Sequence, residues 1–186
     1  IHTGSYATPS SGEPDFRADP LGSGIAGQAS VSGYPAGTIN RHPFANTGPT
    51  SNPSGTGQGN CSTCTAMSRS YWQGVGTQVL TQPSYVNVAA EATLDISTRE
   101  LTIVTEVYYT GSSPVAVNKL NVVLLQNNIE GPQSGGATWN PSAILPNGNY
   151  NHQHMLRHLL TGQWGEDITT TATGNFVTNT YTYTIP

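Results

Sequence analysis

The sequence predicts a mainly β protein, and its composition and residue patterning support that prediction. Charged residues make up only 9% of the 186 residues, whereas there are 21 glycines and 13 prolines. Thr and Asn are abundant, and the apolar runs are β-branched. After residue 84, several stretches alternate apolar and polar residues, which is the pattern of a half-buried strand. Together these features favour an exported protein with an antiparallel β-sandwich over about residues 84–186.

The composition also excludes some classes of protein. The formal net charge is −4 and the six basic residues are scattered singly, so no patch suited to nucleic acid is present. No apolar run of about 18 residues occurs, so the sequence predicts no membrane-spanning helix. The opening IHTG is typical of the end of a strand, so we expect a fragment of a longer exported protein.

Residues 1–82 are predicted to form a loop-rich segment. Turn formers dominate residues 1–60, and residues 46–60 form a Gly/Ser/Pro-rich loop. In the following stretch, CSTCTAMSRSYWQGVGTQVLTQ, apolar or aromatic residues recur at every fourth position until Pro83. This spacing predicts one helix near residues 62–81. The period then changes, which places a domain boundary between residues 1–82 and 83–186.

The second half is predicted to consist of antiparallel strands. SYVNVAAEATLDI and ELTIVTEVYY both alternate and are joined by a short STR turn, so they predict a hairpin. KLNVVLLQ is apolar on both faces and predicts a central strand. NFVTNTYTYTIP places Val177, Tyr181, Tyr183 and Ile185 on one face and four threonines on the other. Strands with one polar face suit an antiparallel sandwich.

Three of the five histidines lie in NYNHQHMLRHLLTGQWGED, which is the first candidate site. A stripe of Met and Leu predicts a helix over residues 151–161, with Gly162 placed to cap its end. On that helix His154 and His158 share one face at a spacing suited to a metal ion, whereas His152 points away.

A structural role for these histidines is the favoured interpretation. The zinc-peptidase pattern fails because Met155 occupies the position of the general base. We expect His152 or His154 to hydrogen-bond loop backbone and to pack beside Trp164, without a bound metal. The alternative is a metal site formed by three side chains: His154, His158 and Glu166.

The second candidate site is the C-x-x-C pattern of Cys61 and Cys64. Its place at the start of a predicted helix resembles a thioredoxin active site, because a helix N-terminus lowers the pKa of a thiol. The context differs, since a Gly-rich loop precedes the pair and the best cis-proline candidate, Pro35, lies upstream. A local disulfide, free thiols and a catalytic or metal-binding pair all stay open.

Other catalytic patterns do not stand out. The adjacent carboxylates Glu166 and Asp167 point apart, and neither a G-x-S-x-G motif nor a phosphate loop occurs. The sequence therefore predicts no enzyme and no cofactor.

Two stretches of the chain resemble a known family. One runs from IHTGSYA through DFRADPLG to GYPAGTINR, and the other from NYNHQHMLR to QWGEDI. They are similar to the Bacteroidetes 28 kDa outer membrane protein family, whose members are exported, lipid-anchored proteins with a thioredoxin-like part before a β-sandwich part. The resemblance spans most of residues 1–41 and 84–185.

The resemblance implies a partial thioredoxin-like segment over residues 1–82, with Pro35 as its cis-proline. It also implies that the redox-type cysteine pair of the family lies upstream of Ile1. Cys61 and Cys64 match no motif of the family. The family signature implies a structural set of five residues: His152, His154, Arg157, Trp164 and Glu166.

The function implied is that of a non-enzymatic domain of a cell-surface lipoprotein, anchored in the outer membrane by a lipid outside this chain. It would act as an adhesin or receptor for an unknown protein or glycan ligand. Two alternatives come from the residues themselves: a thiol-disulfide oxidoreductase-related protein that uses Cys61 and Cys64, and a metal-binding site at His154 and His158.

Overall fold

The computed structural model describes residues 1–18, 20–45 and 63–186. Asp19 and residues 46–62 lie outside the described residues, and with them the predicted loop 46–60 and Cys61. Over the described ranges the chain is mainly β with antiparallel sheets, which confirms the predicted fold class.

The described residues form eleven strands, three α-helices and three 3-10 helices. The strands are β1 Ala36–Gly37, β2 Met67–Ser68, β3 Val86–Asp95, β4 Glu100–Tyr109, β5 Asn118–Leu120, β6 Val123–Gln126, β7 Ile129–Gly131, β8 Tyr150–His152, β9 Met155–Leu159, β10 Glu166–Ile168 and β11 Phe176–Thr184. The helices are α1 Leu21–Ala29, α2 Trp72–Leu80 and α3 Gly136–Trp139, with 3-10 helices at Ser5–Ala7, Arg69–Tyr71 and Pro141–Ala143.

The chain divides into two units. The first unit contains Ile1–Gln82 and Gln126–Leu156, and the second contains Pro83–Leu125 and Arg157–Pro186. Both the predicted domains and these units have a break after Gln82. The units differ from two consecutive domains because the chain leaves the second unit for residues 126–156 and then returns.

In the first unit, α2 is shorter than the helix predicted near residues 62–81. Met67 is fully buried in β2, which pairs with β1, and a 3-10 turn separates that strand from the helix. The indole of Trp72 lies against β1, where a Cβ at Gly37 would come within 2.9 Å of its ring, and its Nε1 donates to the Met67 carbonyl at 3.2 Å. A spacing of four residues fits a helix and also one face of a strand, so periodicity did not separate the two.

The second unit contains the three-stranded sheet β11–β4–β3, in which β4 pairs with both neighbours along its length. The predicted hairpin of β3 and β4 and the predicted C-terminal strand are therefore confirmed. Asp95 closes the hairpin by accepting hydrogen bonds from the backbone and hydroxyl of Ser97 at 2.8 and 2.6 Å. Along β11 the threonines are exposed and the tyrosines half-buried, as the alternation predicts.

A small core joins this sheet to the pair β5–β10. Val107 and Tyr109 of β4 pack with Leu120 of β5 and Ile168 of β10, and all four side chains are buried. The Tyr109 hydroxyl accepts a hydrogen bond from Asn118 at 3.0 Å, which satisfies the polar end of a buried ring. Burial of each of these side chains stabilises the fold by roughly 1.5–3 kcal/mol. The two layers form the sandwich-like part of the protein.

The prediction of one central strand over KLNVVLLQ is wrong. The stretch forms two short strands, because β5 pairs with β10 whereas β6 pairs with β9. The change of partner occurs at Val122, whose N–H donates to the Thr161 hydroxyl at 2.9 Å and whose carbonyl accepts from Leu160 at 2.9 Å. A run that is apolar on both faces does not reveal where its partners change.

The prediction of a helix over residues 151–161 is also wrong. The segment forms β8, a turn and β9, with β8 paired to β7 and β9 paired to β6. His154 lies in the turn with a φ of 55°, which interrupts any helix. Met155 and Leu159 are buried on one face of strand β9, although Arg157, between them on that face, is exposed. The four-residue spacing of Met155 and Leu159 is common to both structures.

Candidate functional site

His152 lies in a buried aromatic cluster of the first unit. Its side chain is 5% exposed, and the ring centroids of His2, Phe16 and Tyr150 lie 5.2, 5.4 and 4.9 Å from its own. Its Nε2 is 3.3 Å from the carbonyl oxygen of Pro132, a loop residue. This arrangement fixes the ring by packing and one backbone contact. A structural role for His152 stays a prediction.

The cluster depends on a close approach between Phe16 and strand β7. A Cβ at Gly131 would overlap the Phe16 ring, so only glycine allows the ring to lie on the strand there. Gly131 pairs with Tyr150 across the β7–β8 hairpin, and His2 forms an isolated bridge with Arg17. Backbone pairing therefore organises each half of the cluster, and the side chains of His2 and Phe16 contact the hairpin at His152 and Gly131.

His2 is the electrostatically perturbed member of the cluster. Burial lowers the pKa of its imidazole below the ordinary value, and the neighbouring His152 lowers it further. Among the described residues, its Nδ1 is a buried nitrogen without a hydrogen-bond partner. The neutral form of His2 is therefore the one that this cluster accommodates.

The remaining two histidines of the segment do not share a helical face. His154 is exposed in its turn, and its backbone N–H donates to the Asn127 side chain at 2.9 Å. His158 belongs to the second unit, where its ring stacks on Tyr183 at a centroid distance of 4.2 Å. In the part of the chain that is described, no group of three or more His, Cys, Asp or Glu side chains is arranged to hold a metal ion.

The other signature residues lie on the surface of the second unit. Arg157 is exposed on β9, and Trp164 is 43% exposed beside Gly165, whose φ is 77°. Glu166 of β10 accepts a hydrogen bond from the Tyr181 hydroxyl at 2.9 Å. Burial and then this contact raise the pKa of Tyr181. Packing of Trp164 beside a histidine of the first unit stays a prediction.

Cys64 and Pro35 both lie in the first unit. Cys64 is 2% exposed and disulfide-bonded, but Cys61 lies outside the described residues, so a bond between the two stays a prediction. The Tyr34–Pro35 peptide bond is cis, and Pro35 directly precedes β1.

The sequence prediction missed a surface around the β7–β8 hairpin. Glu130 Oε1 accepts hydrogen bonds from the side-chain amides of Asn147 and Asn149, at 2.6 and 2.7 Å. Both contacts hold the pKa of the Glu130 carboxyl below its ordinary value. The backbone N–H of Asn149 in turn donates to Asn147 Oδ1 at 3.1 Å, so the three side chains hold one another in place.

The same surface continues toward the turn between β8 and β9. Gln153 Nε2 donates to Asn128 Oδ1 at 3.1 Å and to Asn151 Oδ1 at 2.9 Å. Asn151 pairs with Glu130 across the hairpin, which places the two groups of amides side by side. The sequence signal was the density of Asn between residues 127 and 153, which reads equally well as loop composition.

An exposed aromatic residue, Trp139, belongs to the same surface. Trp139 is 72% exposed, with the Arg69 guanidinium carbon 4.8 Å from the centre of its ring. Its neighbour Asn140 donates to the Tyr150 hydroxyl at 2.8 Å, and Tyr150 directly follows Asn149. We name the whole set the amide surface, which consists of Asn128, Glu130, Trp139, Asn140, Asn147, Asn149, Tyr150, Asn151 and Gln153.

Comparison with known proteins identifies the family. A family model described as outer membrane protein Omp28 matches residues 25–186, which is most of the chain. The chain belongs to the Omp28 family. It is therefore an outer membrane protein, as the resemblance implied. No curated protein and no solved structure matches it.

The Omp28 match includes the amide surface and the histidine segment, but it begins after His2 and Phe16. The part of the aromatic cluster contributed by β8 thus lies inside the family region, and the part contributed by the N-terminal segment lies before it. None of the helices in the described ranges is long and apolar enough to cross a membrane.

Proposed function

We propose that this Omp28-family chain is a non-enzymatic domain of a lipid-anchored surface protein, acting as an adhesin or receptor through the amide surface. Its ligand would be a glycan. The observation that carries the proposal is the hydrogen-bond network in which Glu130 holds Asn147 and Asn149 on an exposed hairpin.

The chemistry of the amide surface fits a polyhydroxylated ligand. Amides offer donors and acceptors to hydroxyl groups, and a carboxylate is a strong acceptor for a pair of them. Because the side chains already bond to one another, little rotamer entropy is lost when a ligand binds. The exposed indole of Trp139 provides an apolar body with a polar N–H, which suits the mixed apolar and polar faces of a sugar.

A thioredoxin-like origin of the first unit is part of the same proposal. It is supported by the order of the elements: Pro35, then β1 paired antiparallel with β2, then α2. Redox activity is not favoured, because a reactive thiol needs exposure and Cys64 is buried and disulfide-bonded. We expect no catalysis of insulin reduction, and turnover that disappears in Cys61→Ser would contradict this.

Glycan binding can be tested with the purified chain on an array of bacterial and host glycans, followed by titration of each hit by isothermal titration calorimetry. Binding should be lost in Trp139→Ala and strongly weakened in Glu130→Gln. Trp164→Ala is the matched control, because Trp164 is also exposed but lies in the second unit.

Two outcomes would overturn the proposal. One is an array without hits for the wild-type chain. The other is binding that survives in both Trp139→Ala and Glu130→Gln, since a glycan bound elsewhere would not depend on these side chains.

A further inference from the structure

Strand β3 forms an open edge of the sheet in the second unit. All ten of its residues pair with β4, and within the described residues no strand pairs with its other side. Nine of the ten residues are exposed, and only Val86 is half-buried. Backbone N–H and C=O groups at such an edge are ready to pair with another chain, and natural proteins usually blunt long edges.

β3 has few of the features that blunt an edge, and its two charged residues, Glu91 and Asp95, lie on one face. It contains no Pro, Gly or Lys, and its pairing with β4 is continuous. Val88 and Leu94 are 61% and 49% exposed, although they lie beside the buried Val107 and Leu101 of β4. The apolar layer of the sheet therefore continues to the open edge, where no other part of the described chain covers it.

An apolar groove lies at the start of the same strand. It has a volume of about 290 Å³. Its apolar lining comes from β3, β4 and the β5–β10 pair, namely Val86, Val88, Val107, Tyr109, Leu120 and Ile168. The polar groups beside it are already engaged, since Asn118 donates to the Tyr109 hydroxyl and Lys119 pairs with Asp167. The groove therefore suits an apolar side chain.

The opposite face of this edge is acidic. Glu91 and Asp95 are exposed on β3, and the neighbouring strand adds Glu106 beside Ala89 and Glu100 beside Asp95. The three strands of the sheet contain no Lys or Arg. An occupant of the edge would therefore gain from positive charge on this face, by complementarity of charge.

We propose that β3 is the docking edge for an extended segment of a partner protein, which adds to the sheet as a fourth strand. Alternate residues of that segment are apolar and face the groove side, and basic residues lie on the side of Glu91 and Asp95. Main-chain hydrogen bonds supply affinity in this mode, and the groove and the acids supply specificity. A second copy of β3 is a poor occupant, because it would bring its own acids to the same face.

The test uses a fluorescein-labelled ten-residue peptide and the whole chain, with binding measured by anisotropy. The peptide alternates Val with polar residues, and two of the polar positions, four apart, are Lys. One control peptide replaces both Lys by Glu, and we expect it to bind about tenfold more weakly or not at all. Binding of the Lys peptide should also weaken as the salt concentration rises toward about 1 M.

Two further peptides separate strand addition from nonspecific contact. Each is N-methylated at every second residue: one peptide at its odd-numbered residues and the other at its even-numbered residues. In an added strand one set of N–H groups faces β3 and the other faces away. We expect one peptide to lose binding and the other to keep it, and equal behaviour of the two would overturn the proposal.

Ala90→Glu and Ala89→Glu form a matched pair of variants. Both residues are exposed, so both variants should fold, but Ala90 lies on the apolar face and Ala89 on the acidic face. We expect Ala90→Glu to weaken binding about tenfold and Ala89→Glu to leave it unchanged or stronger. Trp139→Ala should bind the peptide normally, which keeps this test independent of the glycan proposal.

Three results would overturn the proposal. They are absence of peptide binding to the wild-type chain, equal losses in Ala90→Glu and Ala89→Glu, and self-association in sedimentation that Ala90→Glu abolishes. The last result would assign the edge to a second copy of the chain.

Discussion

The two units of the chain are organised by different physical means. The second unit depends on strand pairing, with nine and ten residue pairs on the two sides of β4. In the first unit the strands are two or three residues long, apart from the ends of β6 and β9. Its order comes from side chains: the aromatic cluster around His152 and the amides around Glu130. Regular pairing produces a periodic sequence, whereas side-chain clusters do not.

This difference has a consequence for function. The sheet of the second unit presents repeating backbone groups at β3, which suit an extended chain as ligand. The first unit presents individually placed polar groups at Glu130 and Trp139, which suit a ligand with many hydroxyl groups. Mutations and pH changes should therefore affect the two units in different ways.

The largest effect is expected in the core of the second unit. Tyr109 is fully buried, so Tyr109→Ala should lower the free energy of unfolding by about 3–5 kcal/mol, measured by urea denaturation. Its neighbour Tyr108 is 44% exposed on the other face, and Tyr108→Ala should cost well under half as much. Similar losses of unfolding free energy in the two variants would mean that the core does not lie on the Tyr109 face of β4.

A smaller effect is expected from a single methyl group in the first unit. Gly131→Ala would force Phe16 to move, so it should cost about 1–3 kcal/mol of unfolding free energy. Gly74→Ala is the control, because its Cβ would meet nothing within 4 Å and it lies in helix α2. Gly74→Ala should be neutral or stabilising by up to about 1 kcal/mol. Equal effects would show that the close approach is unimportant.

His152→Ala should cost a similar amount, about 1–3 kcal/mol, because the ring packs in the cluster and its Nε2 contacts the Pro132 carbonyl. Exposed His154 provides the comparison, and His154→Ala should change the unfolding free energy by less than about 0.5 kcal/mol. Zinc analysis of protein purified without a metal column should find no stoichiometric metal. Stoichiometric zinc that His154→Ala removes would contradict the structural role.

The smallest expected effect is a dependence of stability on mildly acidic pH. The pKa of His2 is lowered by burial, so the unfolded chain binds a proton more readily than the folded one. The contribution of His2 to the free energy of unfolding is then fully present above the ordinary pKa of about 6.5, and it is lost as the pH falls below that value. Calorimetry between pH 7 and about 5 should show this loss in the wild type and not in His2→Phe.

The carboxylate of Asp95 affects stability only at a more acidic pH than His2 does. Hydrogen bonds to Ser97 lower the pKa of Asp95 in the second unit, so its contribution is present at pH 5 and is lost only as the pH falls through its own pKa. An unchanged loss between pH 7 and 5 in His2→Phe would show that another group titrates there.

Much of the second unit could be predicted from sequence, and the candidate sites could be predicted only in part. Alternation identified β3, β4 and β11, because a half-buried strand repeats every two residues. The histidine segment was assigned to the wrong element, since Met155 and Leu159 have a spacing that a helix and a strand share. Pro35 was named as the best cis-proline candidate from the sequence, and its peptide bond is cis in the structure.

By itself the sequence determined the mainly β class, the outer membrane family and the hairpin, because composition, motif and period are local properties of the chain. Tertiary structure alone decided which elements became partners. It moved residues 126–156 into the first unit, gathered Glu130 with Asn147 and Asn149, and gave β3 only one partner strand among the described residues. The reason is that contacts between residues far apart in sequence depend on how closely two segments approach, as Phe16 approaches Gly131. Such an approach leaves no periodic pattern in the sequence.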